Sequence, residues 1–239
     1  MMLKRIAQNV RAYFTEPEVS NIAEQVRKLN LTYLSKQKIA NIEWCISNVQ
    51  RERVEGDFVE AGVALGGGAI IIASSMAQDR VFRGYDVFGM IPPPKSHKDD
   101  EKSKIRYEVI KSGQAEGIGG SPYYGYVEDL YGAVKATFAK FHLPVDSQRI
   151  NLFKGLFADT MTFCVGDKVA FAHIDCDWYD PVRLCLERIY PVLSLRGIIV
   201  LDDYFNYGGC QTATNEFLEQ HQNLKVVFDK GNLALMRVE

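Results

Sequence analysis

Four aspartates carry the strongest chemical signal in the chain. Asp175 and Asp177 follow one short apolar run, and Asp202 and Asp203 follow another. The segment between them has the length and pattern of a helix: Val182, Cys185, Leu186, Ile189, Tyr190 and Leu193 recur at offsets that fit one helical face and no strand. Asp180 before Pro181 predicts the helix start, and Gly197 its stop. Strand, helix and strand make a βαβ unit with parallel strands, so both acid pairs fall on the same carboxyl-terminal sheet edge. Neighbouring strands lie roughly 5 Å apart, which crowds three or four carboxylates together. Carboxylates that close raise one another's pKa unless a positive charge sits between them. Hard divalent cations take oxygen ligands, and no His or Cys spacing competes here, so the pattern predicts a Mg²⁺-type site. The competing reading makes these acids helix caps and solvated strand ends.

The elements that must position the acids follow from the rest of the chain. Its 239 residues suffice for one α/β domain with a buried core. A composition of 47% apolar and 24% charged residues with net charge −2, and no Lys/Arg stripe, gives no footing for nucleic acid. The longest apolar run, Ala69–Ala73, is far too short to span a bilayer. The first residues, MMLKRIAQNVRAYF, lack an apolar signal core and a cleavage site. The five scattered cysteines read as reduced packing thiols, so a cytoplasmic location is expected.

Residues 1–55 read as an N-terminal helical cap. Thr15-Glu16-Pro17-Glu18 has capping-box spacing, and Ile39, Ile42, Ile46 and Val49 mark an amphipathic helix. Such a cap suits either the site edge or a homodimer interface. Asp57–Ala61 is the first predicted strand, followed by the turn Gly62-Val63-Ala64-Leu65-Gly66-Gly67-Gly68 and a helix over Ala69–Ala77. Strand, glycine turn and helix bring backbone N–H groups up to a ligand. The spacing is not G-x-G-x-x-G, which argues against a pyrophosphate cofactor. Glu60, two residues before the first glycine, suits a ligand with a cationic amino group, such as the methionine end of S-adenosylmethionine. Val81–Tyr85 is the second strand, and Asp86 at its tip is placed to grip a ribose diol or to form a turn.

Residues 89–126 read as a lid or acceptor-binding insertion, closed by Tyr123, Tyr124 and Tyr126, which suit an acceptor pocket or ordinary packing. A helix with Val127, Leu130, Val134, Phe138 and Phe141 follows, then a strand over Arg149–Phe153. A helix over Gly209–His221 and a hairpin of Leu224–Phe228 with Leu233–Val238 complete the chain. The expected fold is a single α/β domain with a Rossmann-like, mostly parallel sheet of the class I methyltransferase type, finished by an antiparallel hairpin.

With these residues in view, the chain resembles the macrocin O-methyltransferase (TylF) family. The resemblance rests on GDFVEAGVALGGGA at 56–69, Asp86, NLFKGLFADT at 151–160, HIDCDWYDP at 173–181 and IIVLDDY at 198–204. It departs at Ala64-Leu65, where family members often have Trp-Arg, and at Arg196-Gly197, where they often have Gly-Gly. The resemblance implies an S-adenosylmethionine- and Mg²⁺-dependent O-methyltransferase acting on a hydroxyl of a sugar or sugar-bearing natural product. It implies Asp175, Asp202 and Asp203 as metal ligands and Asp177 as general base. Glu60, Gly62, Val63, Ala64, Gly66, Asp86, Gly155 and Asp175 are the expected cofactor-binding residues. Two alternatives stand beside it. A catechol-type enzyme would use the same acids with a Lys base, where this chain has Asp177-Trp178-Tyr179. A non-catalytic cofactor-binding scaffold would not need every acid intact.

Overall fold

A computed structural model describes residues 16–239 of the chain. The N-terminal residues 1–14, and Thr15 of the expected capping box, lie outside the described residues. The first described helix, α1 (Asn21–Lys28), starts after Glu16–Val19 instead, because Ser20 Oγ accepts from the Ala23 N–H and supplies the cap. Helix α2 (Lys36–Arg51) is capped likewise by Ser35 and buries Ile39, Ile42, Cys45, Ile46 and Val49.

The sheet is assembled from β1 (Asp57–Ala61), β2 (Phe82–Asp86), β3 (Ile150–Lys154), β4 (Val169–Ile174), β5 (Leu193–Leu201), β6 (Leu224–Lys230) and β7 (Asn232–Arg237). Their order is β3-β2-β1-β4-β5-β7-β6, with β1 to β5 parallel and the final hairpin antiparallel. This is the predicted Rossmann-like sheet. Buried strands alternate between two cores. Ile198 and Val200 face one side with α1, α2, α3 (Gly67–Ser75) and α5 (Leu130–Lys140). Ile199 and Leu201 face the other with α7 (Tyr179–Ile189) and α8 (Gly208–Gln220). Helix α3 is apolar around its whole circumference, and Gly67 through Ala73 are all buried, as expected for a helix with neighbours on every side.

Two predicted boundaries are corrected. Asp180 and Pro181 lie inside the first turn of α7, not at its cap. The cap oxygen comes from Asp99 of the insertion, whose Oδ1 accepts from the Tyr179 N–H at 2.8 Å. Gly197 does not stop that helix either; it lies within β5. Pro191, which lacks an N–H, turns the chain into a single 3₁₀ turn at Tyr190–Val192. The strand begins at Leu193 and bulges around Arg196 (φ +66°) before it rejoins β4.

The 89–126 insertion is ordered. It forms α4 (Glu101–Lys111) and two 3₁₀ turns around a small core of Ile110, Ala115 and Tyr123. Between α5 and α7 the chain also makes a single-turn helix, α6 (Phe157–Thr160). No helix among the described residues is long and apolar enough to cross a membrane.

Candidate active site

The carboxyl ends of β1, β2, β4 and β5 open into one cavity of about 630 Å³, within the roughly 300–1,000 Å³ of small-molecule sites. Gly62, Ala64, Asp86 and all four strand-end aspartates line it. The insertion forms the opposite wall, with Ile91, Arg106, Tyr123 and Tyr124 among its contributions.

Local backbone needs explain the glycine turn. Gly62 has φ +96°, and a Cβ there would sit 1.8 Å from the carbonyl oxygen of Asp175. The Asp175 N–H in turn donates to the carbonyl of Ala61 at 2.8 Å. The first turn and the first acid are thus locked together through backbone, which only glycine permits. Gly66, at φ +88°, caps α3 in the left-handed region. Ala64 is also left-handed (φ +46°), and its N–H donates to Asp86 Oδ2 at 2.8 Å. Asp86 Oδ1 accepts from the Phe88 N–H at 2.5 Å. Asp86 therefore braces the glycine turn from the cavity wall, and burial raises its pKa.

The expected acid cluster forms. Asp175, Asp202 and Asp203 each present an oxygen, all within 4.8 Å of one another. Asp177 adopts a left-handed backbone (φ +60°) beside them. Burial, and then the neighbouring carboxylates, push Asp175 and Asp177 well above the usual carboxylate range. Burial and Asp202 raise Asp203. Asp202 moves the other way: burial opposes its charge, but His173 and then Lys38 outweigh it and hold the carboxyl below its ordinary value. The Lys38 ammonium, reaching in from α2, donates to Asp202 Oδ2 at 2.6 Å, to the Asp202 carbonyl at 3.0 Å and to Asn206 Oδ1 at 3.2 Å. Among the described residues, Asp202 Oδ1 and Asp203 Oδ2 are buried without a hydrogen-bond partner. Orphaned carboxylate oxygens in a cluster of acids fit a hard divalent cation.

Not every predicted residue reaches the cavity. Glu60 is buried behind it, with Oε1 at 2.9 Å from His173 Nδ1. Val63 is part of the core, and Gly66 and Gly155 are not among the residues that line the cavity. Gly155 (φ +149°) passes its neighbours Leu156, Phe157 and Ala158 into the wall. Tyr123 and Tyr124 line the cavity, whereas Tyr126 staples the insertion by donating its hydroxyl to the Ile110 carbonyl at 2.5 Å. Lys38, His173, Asp99 and Arg106 were not anticipated. Lys38 had a signal, since a lysine in a first helical turn opposes the helix dipole and needs another reason to be there. His173 is the one titratable residue in the otherwise apolar strand VAFAHI.

Comparison with known proteins settles the class. A family model described as macrocin-O-methyltransferase (TylF) matches residues 2–230. The chain belongs to that family. It is an O-methyltransferase by the same relationship, and its curated relatives agree. It is 26% identical over 194 residues to the demethyldecarbamoylnovobiocin O-methyltransferase of Streptomyces niveus, covering 78% of this chain and 67% of the relative. It is equally 26% identical to the mycinamicin III 3''-O-methyltransferase of Micromonospora griseorubida, covering 80% and 71%. The solved structure of the O-methyltransferase NovP superposes on this one with TM-score 0.70 at 23% identity, covering 87% of this chain and 83% of that one. That likeness supports the Rossmann-like methyltransferase fold.

Proposed function

We propose that this O-methyltransferase uses S-adenosylmethionine and Mg²⁺ to methylate a hydroxyl on a sugar or sugar-bearing natural product. One observation carries the reading: the Asp175, Asp202 and Asp203 oxygens converge on the wall of the cavity that the glycine turn also lines. The sugar is suggested by a relative whose name carries a rhamnosyl group, the 8-demethyl-8-(2,3-dimethoxy-alpha-L-rhamnosyl)-tetracenomycin-C 4'-O-methyltransferase of Streptomyces olivaceus, 26% identical over 192 residues.

When bound, the cofactor supplies an electrophilic methyl group, and Mg²⁺ acidifies and orients acceptor oxygens. The chain's own residues do the rest. The backbone at Gly62 and Ala64 gives the cofactor a close wall, and Asp86 stands where it can accept from ribose hydroxyls. Asp175, Asp202 and Asp203 hold the cation. Asp177 takes the hydroxyl proton on a carboxylate oxygen, because a sugar hydroxyl is too weak a nucleophile while protonated. Tyr123, Tyr124 and Trp178 cover the site and keep water away.

The test is methyl transfer to a panel of glycosides and catechols by EDTA-treated protein with and without added Mg²⁺. Transfer to a glycoside that depends on Mg²⁺ is expected. Full activity after chelation would refute the metal, and exclusive use of catechols would refute the acceptor class.

A further inference from the structure

We propose that Glu60 and His173 are a positioning pair that fixes the carboxylate of Asp202 from behind the sheet edge. This rests on the reading of Asp202 as a cation ligand. The three residues come from β1, from β4 and from the tip of β5, three adjacent strands. His173 is wholly buried, and its register partner on β1 is Glu60. Nδ1 lies 2.9 Å from Glu60 Oε1, and Nε2 lies 3.5 Å from Asp202 Oδ1. Both nitrogens therefore face carboxylates, one on each neighbouring strand.

Glu60 is itself held in place. Its Oε1 occupies space beside Gly68, where a Cβ would come within 2.4 Å of it. Gly68 lies in the first turn of α3, where a helix N-terminus favours an anion. On the other side, Lys38 holds Asp202 Oδ2. Asp202 is thus flanked on both sides: Lys38 is bonded to Oδ2, and His173 Nε2 stands 3.5 Å from Oδ1 without a hydrogen bond, which leaves Oδ1 with capacity for a cation. Neither Glu60 nor His173 lines the cavity, so neither touches substrate. A buried acid and imidazole in apolar strands are costly placements, and orienting a ligand carboxylate gives them a role. Supporting groups of this kind change metal affinity about 10–100-fold when removed.

Two substitutions separate positioning from general structural damage. In His173→Asn the amide nitrogen replaces Nδ1, so the Glu60 contact survives and the Asp202 contact is lost. In His173→Gln the amide nitrogen replaces Nε2 and keeps the Asp202 contact. Mn²⁺ binding to each full-length protein is measured by the loss of the free-ion EPR signal, with melting temperature and S-adenosylhomocysteine affinity alongside. We expect His173→Asn to weaken Mn²⁺ binding about 10–100-fold, His173→Gln to weaken it clearly less, and S-adenosylhomocysteine affinity to hold in both. Equal losses that track melting temperature, or a His173→Asn affinity matching wild type, would overturn the pair. Should His173→Asn fail to fold, Glu60→Gln removes only a charge and carries the same expectation and the same refutation. Asp202→Asn is the control: if it leaves Mn²⁺ binding intact, the metal reading itself fails, whatever the His173 variants show.

Discussion

Lys38 Nζ lies 2.6 Å from Asp202 Oδ2, joining the first turn of an N-terminal helix to the tip of a central strand 164 residues away. Both side chains are largely buried, at 14% and 5% exposure. The contact ties α2 into the site rather than leaving it as a mere cover.

Lys38→Ala leaves Asp202 with His173 Nε2, 3.5 Å from Oδ1, as its remaining basic neighbour. A hydrogen bond to a charged group contributes about 1.5–3 kcal/mol, so a loss of that order is expected in the unfolding free energy obtained from denaturant titration. Mg²⁺ should narrow the gap to wild type, because added cation replaces part of the missing charge. An unfolding free energy identical to wild type would mean the contact contributes nothing.

Asp203→Ala removes a proposed ligand whose Oδ2 has no partner within the described protein. Turnover should fall at least about 100-fold, since loss of a ligand exceeds loss of its supporting groups. S-adenosylhomocysteine affinity, read by calorimetry, should not move. Parallel loss of both would point to misfolding instead.

Proton competition gives the site a pH signature. Asp175 and Asp177 are raised by burial first and by neighbouring carboxylates second. The folded protein therefore binds these protons more tightly than the unfolded chain does. Their stabilising contribution is present below the ordinary carboxylate pKa of about 4 and is lost as pH rises through the raised values. Melting temperature without metal should decline over that window, and the increment given by Mg²⁺ should grow over it. A Mg²⁺ increment independent of pH would contradict this.

Gly62→Ala sets a Cβ on the Asp175 carbonyl and forces a side chain into φ +96°. Backbone strain alone is of order 1–3 kcal/mol, and the overlap adds to it. Both melting temperature and cofactor binding should drop together, because one backbone contact serves both.

Residues 89–126 are fastened to the rest of the fold by adjacent aspartates. Asp99 caps α7, and Asp100 accepts from both the Ser103 N–H of α4 and the Gly208 N–H at the start of α8. Ala at either position should cost about 0.5–2 kcal/mol. Limited proteolysis within 89–126 should then speed up, and cleavage at wild-type rate would show that these bonds do not hold the segment.

The parallel strands, the closing hairpin and the four acids were legible because each depends on a local pattern, an apolar run with a turn or an acid at its end. Gly62 was legible as a turn, though its contact with Asp175 was not. What escaped was long-range. Glu60 reads locally as a cofactor contact because it neighbours the glycine turn, yet its partner His173 lies 113 residues on. The start of α7 was placed at Asp180 because the true cap, Asp99, belongs to a distant insertion. No local rule reports a partner that only folding brings near.

As the proposed base, Asp177 meets two demands at once. A left-handed dihedral is easy for glycine, tolerable for asparagine and aspartate, and steeply unfavourable for branched side chains. Glycine would keep the bend with no functional group, and asparagine would keep the outline while losing the capacity to accept a proton. Glutamate would bring the right functional group on a longer arm and a less accommodating backbone. Shape and reactivity therefore narrow the choice to the same side chain, and drift at this position forfeits at least one of them.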